Sequence, residues 1–348
     1  MVGSLGRNRG LRTFVVLGLA ALFGLGIYNW LGTLKSPLVR QSAGGDPTQN
    51  SVELNLPGTV VVPQSGSLYR LQNGHFTRIA GGQWSQPAVT PDHQHLIAVQ
   101  RAGNLSDLYE LSPSGAIQRQ LTNDASGQVE LNHWSFYPHV SPSGTNVFYS
   151  YDEKTCQGCY LVELSIFSQP LGGRQSQARR WSRPNAGTGG DLTPIPLESG
   201  GLLYSKFQVD GATNQVISQL WYQRAQGTTG VALSPAGQSC QQPALSPAGT
   251  QVAMICAAEG SATNRLVVAD LDVGQLTLGP ETVLTTGLAA APAWSPDGKG
   301  LLYFAPQSGQ VGPFQLFYVK IPTKGAASPT AVTTNDSFDS TAPPVWYR

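Results

Sequence analysis

The sequence predicts an all-β protein, a six-bladed β-propeller of four-stranded antiparallel blades that follows a single N-terminal transmembrane helix. Three observations lead to this prediction: one hairpin motif recurs about every 50 residues, each period holds four short apolar runs, and an apolar segment near the start is long enough to span a membrane. The 348 residues include 40 glycines and 25 prolines but only 12% charged residues, which suits many short strands joined by tight turns.

The apolar segment, Thr13–Leu34, is uncharged, and as a helix it would cover roughly 33 Å, enough to cross the hydrocarbon core of a bilayer. Arginines precede it, so we predict a short cytoplasmic tail at residues 1–12 and a cell-membrane, single-pass anchor with the propeller on the extracytoplasmic side. Residues 35–57 are polar and predict a flexible linker. A cleaved signal peptide and a buried helix of a soluble protein are the alternatives.

The repeated hairpin is clearest at Pro292–Gly298, PAWSPDG, which the apolar run LLYF follows. Within the turn, proline presets φ for a type I turn, and glycine supplies the left-handed position that closes the hairpin. The leading proline lacks an N–H group, so it fits the innermost strand of a blade, which is an edge. Leading prolines occur at Pro87, Pro138, Pro194, Pro243, Pro292 and Pro343.

Each turn is followed by further apolar runs. The second strands are predicted at Leu96–Val99, Val147–Ser150, Leu202–Ser205, Val252–Ile255 and Leu301–Phe304. The third strands are predicted at Asp107–Leu111, Cys159–Leu164, Gln219–Gln223, Arg265–Leu271 and Gln315–Ile321, and a weaker fourth run follows, as at Ile117. Four strands in a repeat of this length are typical of a propeller blade.

The two ends of the repeat region complement each other. Gly58–Ala80 holds three strands without a leading proline, whereas residues 343–347 hold a leading proline and one strand. We therefore predict six blades over residues 58–348, closed by the C-terminal strand lying beside Thr59–Val62. Such a closure joins the two ends and leaves no incomplete blade in the ring.

The PxWSPDG hairpin resembles the Pro-Asp, WD40-like β-propeller repeat of TolB-like proteins, and the resemblance covers residues 58–348. It implies the fold and little about the function, because related blades occur in envelope scaffolds, in the propellers of prolyl-oligopeptidase-type enzymes and in carbohydrate-acting proteins. TolB carries an α/β domain before its propeller, and residues 35–57 are too few to form one. The role of TolB in the Tol–Pal system is therefore not implied.

The four cysteines predict disulfides in an exported domain. With Ser246 opposite Thr250 in the turn between them, Cys240 and Cys256 face each other across adjacent strands; reduced packing cysteines are the alternative. Cys156 and Cys159 fall in a loop of the third blade, where a local disulfide is favoured over a redox motif or half a zinc site. No helix N-terminus and no second pair of ligands supports those two alternatives.

No nucleophile elbow, P-loop, GxGxxG or HExxH motif occurs in the sequence, so we predict no cofactor, no metal and no enzyme activity. His93 and His95 form an H-x-H pair, for which a solvated turn is favoured over a metal site. The net charge of +1 gives no basis for nucleic-acid binding.

Large aromatic residues lie on the loops that enter the innermost strands. We predict that they form a ligand-binding face around the channel, with packing between blades as the alternative: Trp84, Trp134, Phe136, Tyr137, Trp181 and Phe338. The predicted function is a membrane-tethered extracytoplasmic scaffold that binds a protein or peptide, with carbohydrate possible. A carbohydrate- or peptide-acting enzyme that uses the channel, and a purely structural envelope assembly factor, are the alternatives.

Overall fold

The computed structural model describes residues 52–154, 162–258, 260–309 and 311–348. The predicted tail and transmembrane segment, and with them Cys156 and Cys159, lie outside these ranges. Within the ranges the backbone forms six antiparallel sheets, which confirms the predicted six-bladed all-β propeller. None of the helices in the described part of the chain has the length and apolar character needed to cross a membrane.

The strands of each blade follow one another from the channel outwards. Blade one has β25 (Val345–Tyr347), β1 (Thr59–Gln64), β2 (Ser67–Gln72) and β3 (His75–Gly81). Blade two has β4 (Trp84–Val89), β5 (Leu96–Ala102), β6 (Leu105–Leu111) and β7 (Ile117–Gln120). Blade three has β8 (Ser135–Val140), β9 (Asn146–Asp152), β10 (Leu164–Pro170) and β11 (Arg179–Arg180).

Blade four has β12 (Asp191–Pro196), β13 (Leu202–Val209), β14 (Val216–Gln223) and β15 (Val231–Ala232). Blade five has β16 (Gln238–Leu245), β17 (Gln251–Ala258) and β18 (Asn264–Asp272), and β18 pairs with both β19 (Thr277–Leu278) and β20 (Thr282–Gly287). Blade six has β21 (Ala290–Trp294), β22 (Gly300–Pro306), β23 (Phe314–Lys320) and β24 (Thr330–Ala331). Two short 3-10 helices occupy Val129–Leu131 and Gln175–Gln177.

Blade one is completed by the end of the chain. β25 pairs antiparallel with β1, with Tyr347 opposite Thr59 and Val345 opposite Val61. The indole Nε1 of Trp346 donates a hydrogen bond to the carbonyl oxygen of Pro57 at 2.8 Å. The ring is therefore closed by pairing of the C-terminal strand with β1, as the sequence predicts.

The hydrophobic core lies between neighbouring blades, and each blade buries both of its faces. All six residues of β1 are buried. Val60 and Val62 pack in one cluster with Phe304 of blade six. Val61, which points the opposite way, packs in another cluster with Leu96 of blade two. Strands buried on both faces read as nearly continuous apolar runs, which is why the second strands are readily recognised in the sequence.

The innermost strands of blades two to six share a β-bulge at the leading proline that the sequence pattern does not predict. The residue before each of these prolines has a positive φ between 47° and 53°: Gln86, Tyr137, Thr193, Gln242 and Ala291. Two residues of the bulged strand oppose one residue of its partner there, so the strand bends. Non-glycine residues rarely adopt such angles, and here the same geometry is repeated around the channel.

The disulfide between Cys240 and Cys256 is present, with the Cα atoms 4.1 Å apart. The predicted register of this hairpin is nevertheless wrong at the turn, because Ser246 pairs with Gln251 and not with Thr250. The bulge after Gln241 shifts the register by one residue, and this shift brings the two cysteines opposite each other. Two errors in the prediction therefore cancel.

Two further expectations need correction. The third strand of blade three is predicted at Cys159–Leu164, but β10 begins only at Leu164, and residues 162–163 form no strand. The end of the predicted flexible linker packs on blade six: Val52 bridges to Thr333 and Leu56 is buried. The alternating apolar residues of VELNL, which begins at Val52, explain this packing, since they enter the cluster between blades six and one.

Candidate functional site

Three of the six predicted aromatic residues come together at the end of the propeller where the outer strands lead into the next innermost strands. The rings of Trp134 and Phe136 stack with centroids 5.6 Å apart and planes 13° apart. The ring of Tyr137 follows, 6.3 Å from that of Phe136. The guanidinium of Arg101 lies 5.8 Å from the Trp134 ring centroid and 5.4 Å from that of Phe136. We call these four residues the aromatic platform.

Arg101 is exposed while the rings beneath it are half-buried. A cation over an aromatic face at such a site contributes about 0.5–1 kcal/mol, enough to favour one arrangement without removing the charge from solvent. The backbone N–H of Arg101 donates to the carbonyl oxygen of Gln83 at 3.0 Å, which fixes the end of β5. The platform therefore presents a positive charge and flat apolar surface side by side.

The loop that leads into β8 holds Trp134 in place. A parallel bridge joins Trp134 to Ser106 of blade two. The Ser106 hydroxyl donates to the carbonyl oxygen of Ser135 at 2.8 Å and accepts from its N–H at 3.0 Å. The Asn132 side chain donates to Asn104 Oδ1 at 2.9 Å and accepts from the N–H of Ser126 at 2.6 Å. These bonds fix the backbone that carries the indole.

Two buried carboxyl groups lie beneath the platform between blades two and three. Asp124 accepts hydrogen bonds from Ser135 Oγ at 2.6 Å and from Gln175 Nε2 at 2.8 Å. Asp107 accepts from Thr122 Oγ1 at 2.9 Å and from the N–H of Asp124 at 2.8 Å. Burial raises the pKa of Asp124 to about 6, and the nearby Asp107 also raises it, while the bonds from Ser135 and Gln175 lower it. Burial also raises the pKa of Asp107.

Tyr137 links the platform to the channel. Burial raises the pKa of its phenol, the negative charge of Asp339 raises it further, and Arg101 and a hydrogen bond with Gln86 lower it. The phenol is therefore a hydrogen-bond donor at neutral pH. Asp339 sits in the loop before β25, where it accepts from Thr341 N and Oγ1. The platform thus has an anionic group near Tyr137.

The other three predicted aromatic residues lie elsewhere. Trp84 is 3% exposed and packs edge-on against Tyr109, and Phe338 is 1% exposed and stacks on Phe304 at 5.2 Å. These two are core residues, in agreement with the alternative interpretation, because their rings fill the spaces between blades. Trp181 packs against a ring of its own blade and lines a separate cleft between blades three and four.

The opposite end of the channel, at the SPxG turns, is apolar. A cavity of about 280 Å³ there is lined by the leading prolines and the residues that follow them. The residue after Pro138 is His139, an exposed residue whose pKa is lowered by the protein atoms around it. His139 is therefore neutral at pH 7. The sequence could have indicated this residue, because the position after the leading proline is apolar in four other blades. The residues there are Ala88, Ile195, Ala244 and Ala293.

The H-x-H pair does not converge on one point. His93 Nδ1 lies 3.0 Å from the carbonyl oxygen of Arg348, and His95 Nδ1 lies 3.3 Å from Glu110 Oε1. Within the described ranges the one cluster of potential metal ligands is Cys240, Cys256 and Glu281, and its two sulfur atoms are joined in the disulfide. Metal binding there would require free thiolates.

Comparison with known proteins supports the fold and leaves the activity open. No protein-family model matches the chain, and no curated protein matches it. Among solved structures, TolB from Acinetobacter baumannii matches with a TM-score of 0.61 at 15% identity, over 85% of this chain and 68% of that one. A putative TolB from Agrobacterium tumefaciens matches with a TM-score of 0.51 at 17% identity, over 66% and 78%.

An oligogalacturonate lyase from Vibrio parahaemolyticus also matches, with a TM-score of 0.47 at 10% identity, over 77% of this chain and 71% of the other. Likeness at such low sequence identity shows the arrangement of the strands and not the chemistry. The ring of six four-stranded blades and the two TolB matches lead to one conclusion about the chain: it folds as a TolB-like six-bladed β-propeller.

Proposed function

We propose that this chain is a membrane-tethered, extracytoplasmic propeller that binds a protein or peptide partner at the aromatic platform and catalyses no reaction. One observation carries the proposal: the exposed guanidinium of Arg101 lies over the stacked rings of Trp134 and Phe136. Tryptophan, tyrosine and arginine are the residues that contribute most of the binding energy in protein interfaces. All three types occur together in the platform.

The support of the platform strengthens the proposal. Hydrogen bonds of Ser106, which is buried, and of Asn132 fix the backbone at Trp134 before any partner arrives. A site held in its binding conformation loses less conformational freedom on association, so more of the contact energy appears as affinity. The carboxylate of Asp339 beside Tyr137 adds a charge of opposite sign to Arg101, which favours a partner surface with complementary charges.

The experiment uses the full chain in its native membrane, with a photo-crosslinking amino acid in place of Phe136. The control carries it in place of Ile117, which is 56% exposed on the outer strand of blade two. We expect a crosslinked partner at position 136 only. The purified partner should bind the Arg101→Ala protein at least about tenfold more weakly than the wild type.

Equal crosslinking at the two positions, or an affinity that the Arg101 substitution leaves unchanged, would contradict binding at the platform. Reproducible hydrolysis or lyase activity that is lost with Tyr137→Phe would favour the enzyme alternative.

The proposed topology has its own test, which is a fusion to the C-terminus. Alkaline phosphatase is expected to be active there and a green fluorescent protein dark, and the reverse pattern would place the propeller in the cytoplasm.

A further inference from the structure

A second cavity, of about 710 Å³, lies between blades three and four, along β11 and the residues that follow it. Residues 178–183 form one wall, and Tyr204, Lys206 and Trp221 form the other. Its volume lies in the range of pockets that enclose a ligand of several residues or rings. We call it the cationic cleft, because of the charge of its walls.

Among the described residues that line the cleft, four are cations and none is a carboxylate: Arg179, Arg180, Arg183 and Lys206. Two of these cations form ion pairs with acidic residues that do not line the cleft. Arg180 pairs with Glu153, and Lys206 Nζ lies 3.1 Å from the fully buried Asp191. Within the part of the chain that the structure describes, Arg179 and Arg183 form no ion pair. The cleft therefore carries two positive charges that its described walls do not offset.

The sequence accounts for this excess. No aspartate or glutamate occurs between Glu163 and Asp191, a stretch that contains four arginines. On the opposite wall, none occurs between Asp210 and Glu259. Residues 155–161, outside the described ranges, also contain no acidic residue. With a net charge of only +1 for the whole chain, these uncompensated arginines form a local concentration of positive charge.

The walls of the cleft are held in position. Lys206 Nζ donates to the carbonyl oxygen of Arg183 at 2.8 Å and lies 5.6 Å from the centroid of the Trp221 ring. Trp181 Nε1 donates to Ser168 Oγ at 2.8 Å. The two indoles therefore have fixed orientations on opposite walls.

Blade four forms hydrogen bonds with the end of β11 and with the residue that follows it. The carbonyl oxygen of Arg180 accepts from Gln226 Nε2 at 3.1 Å, and that of Trp181 accepts from Gln223 Nε2 at 2.9 Å. Both glutamines belong to blade four. A ligand in the cleft would consequently be held by side chains rather than by extension of the sheet.

We propose that the cationic cleft binds an acidic peptide segment of a partner. Its carboxylates pair with Arg179 and Arg183, and its apolar portions contact Trp181 and Trp221. Guanidinium groups bind carboxylates through paired hydrogen bonds, and arginine tolerates the partial desolvation of a cleft. The two arginines are four residues apart, about 13 Å along an extended chain, which suits two carboxylates on one peptide better than a single anion. The cleft is separate from the aromatic platform, so the proposal does not depend on the function assigned there.

The test is a titration of the full chain, in detergent at an ionic strength of about 0.15 M, against fluorescein-labelled hexaglutamate, with hexaglutamine as the neutral peptide. The double variant Arg179→Glu/Arg183→Glu is expected to weaken hexaglutamate binding by about tenfold or more. The matched control is Lys320→Glu/Lys324→Glu on exposed positions of blade six, which changes the net charge by the same amount. It is expected to weaken binding less than about twofold, since exposed distant charges are screened. Unchanged circular dichroism shows that each variant is folded.

Three results would overturn the proposal. Hexaglutamate that does not bind the wild type more tightly than hexaglutamine shows that the cleft has no affinity for acidic peptides. Equal weakening by the two double variants assigns the binding to net charge and not to the cleft. A heparin hexasaccharide that binds through Arg179 and Arg183 when hexaglutamate does not would make the ligand an acidic carbohydrate.

Discussion

The side-chain oxygen of Gln86 accepts a hydrogen bond from the backbone N–H of Tyr137 at 2.7 Å, across the boundary between blades two and three. Gln242 makes the same bond to Ala291 at 2.8 Å between blades five and six. All four residues precede a leading proline and have a positive φ. The bulge turns the N–H groups of Tyr137 and Ala291 out of the sheet, and the glutamine of the preceding blade replaces the lost partner.

We expect Gln86→Ala to lower the free energy of unfolding by roughly 1–2 kcal/mol, because the N–H of Tyr137 loses its acceptor in a half-buried position. Gln86→Met has a similar volume but no acceptor, so it should lose about as much as Gln86→Ala if the hydrogen bond is the cause. Urea unfolding of the three proteins measures the difference. An alanine variant as stable as the wild type would show that water replaces the glutamine at no cost.

The buried carboxyl of Asp124 predicts a pH dependence of stability. Its pKa is about 6 in the folded protein, above the value of an exposed carboxyl. Between these two pKa values the folded state therefore binds a proton that the unfolded state does not. Its stabilising contribution is present below about pH 4 and is lost as the pH rises through 6, by roughly 2–3 kcal/mol. We expect Asp124→Asn to flatten the difference in unfolding free energy between pH 4 and pH 7. Identical pH dependence in the variant and the wild type would contradict this assignment.

The Cys240–Cys256 disulfide closes a loop with a sequence separation of 16 and should stabilise the fold by about 3 kcal/mol. The double variant Cys240→Ala/Cys256→Ala is expected to lose this contribution, and dithiothreitol should then have no further effect on these positions. Alanine fits there, because blade six has Ala289 and Ala305 at the equivalent positions. The matched control is Cys156→Ala/Cys159→Ala. If only the Cys156→Ala/Cys159→Ala protein loses unfolding free energy, the stabilising disulfide is the one predicted between Cys156 and Cys159.

Two tryptophans distinguish the core from the platform. Trp84→Ala is expected to cost about 3–5 kcal/mol of unfolding free energy, because it empties a buried space between blades. Trp134→Ala should cost clearly less, since its ring is half-buried and stacks at the surface, while it should weaken partner binding. Denaturant midpoints and crosslinking yields of both variants provide the comparison. Equal losses of stability would place Trp134 in the core as well.

The turn chemistry was predictable because it is local. Gly144, Gly249 and Gly298 have φ between 70° and 72°, as the closing position of the hairpin requires. His93 stands where these glycines stand and has the same left-handed conformation, with φ 58°. Since each repeat uses the same turn, the spacing of the leading prolines was enough to count the blades.

Much of the site could not be predicted, because it depends on which face of the strand each residue occupies and on contacts between blades. Trp134 and Phe136 are four and two residues before Pro138, so they share a face of the strand. Trp84 is three residues before Pro87 and faces the other way, into the core. Arg101 joins the platform only because β5 and β8 lie side by side in neighbouring blades, and no local motif reports such a contact.

The pairing of β25 with β1 also sets the order in which the protein can be completed. Val345–Tyr347 form the last of the propeller strands to leave the ribosome, long after Thr59–Gln64 has emerged. A nascent chain can assemble blades two to six as they appear, but β1 must wait with one edge unpaired until Val345–Tyr347 has also emerged. A stop codon just before Val345 would therefore leave the propeller as an open arc with a strand edge free to pair with another molecule.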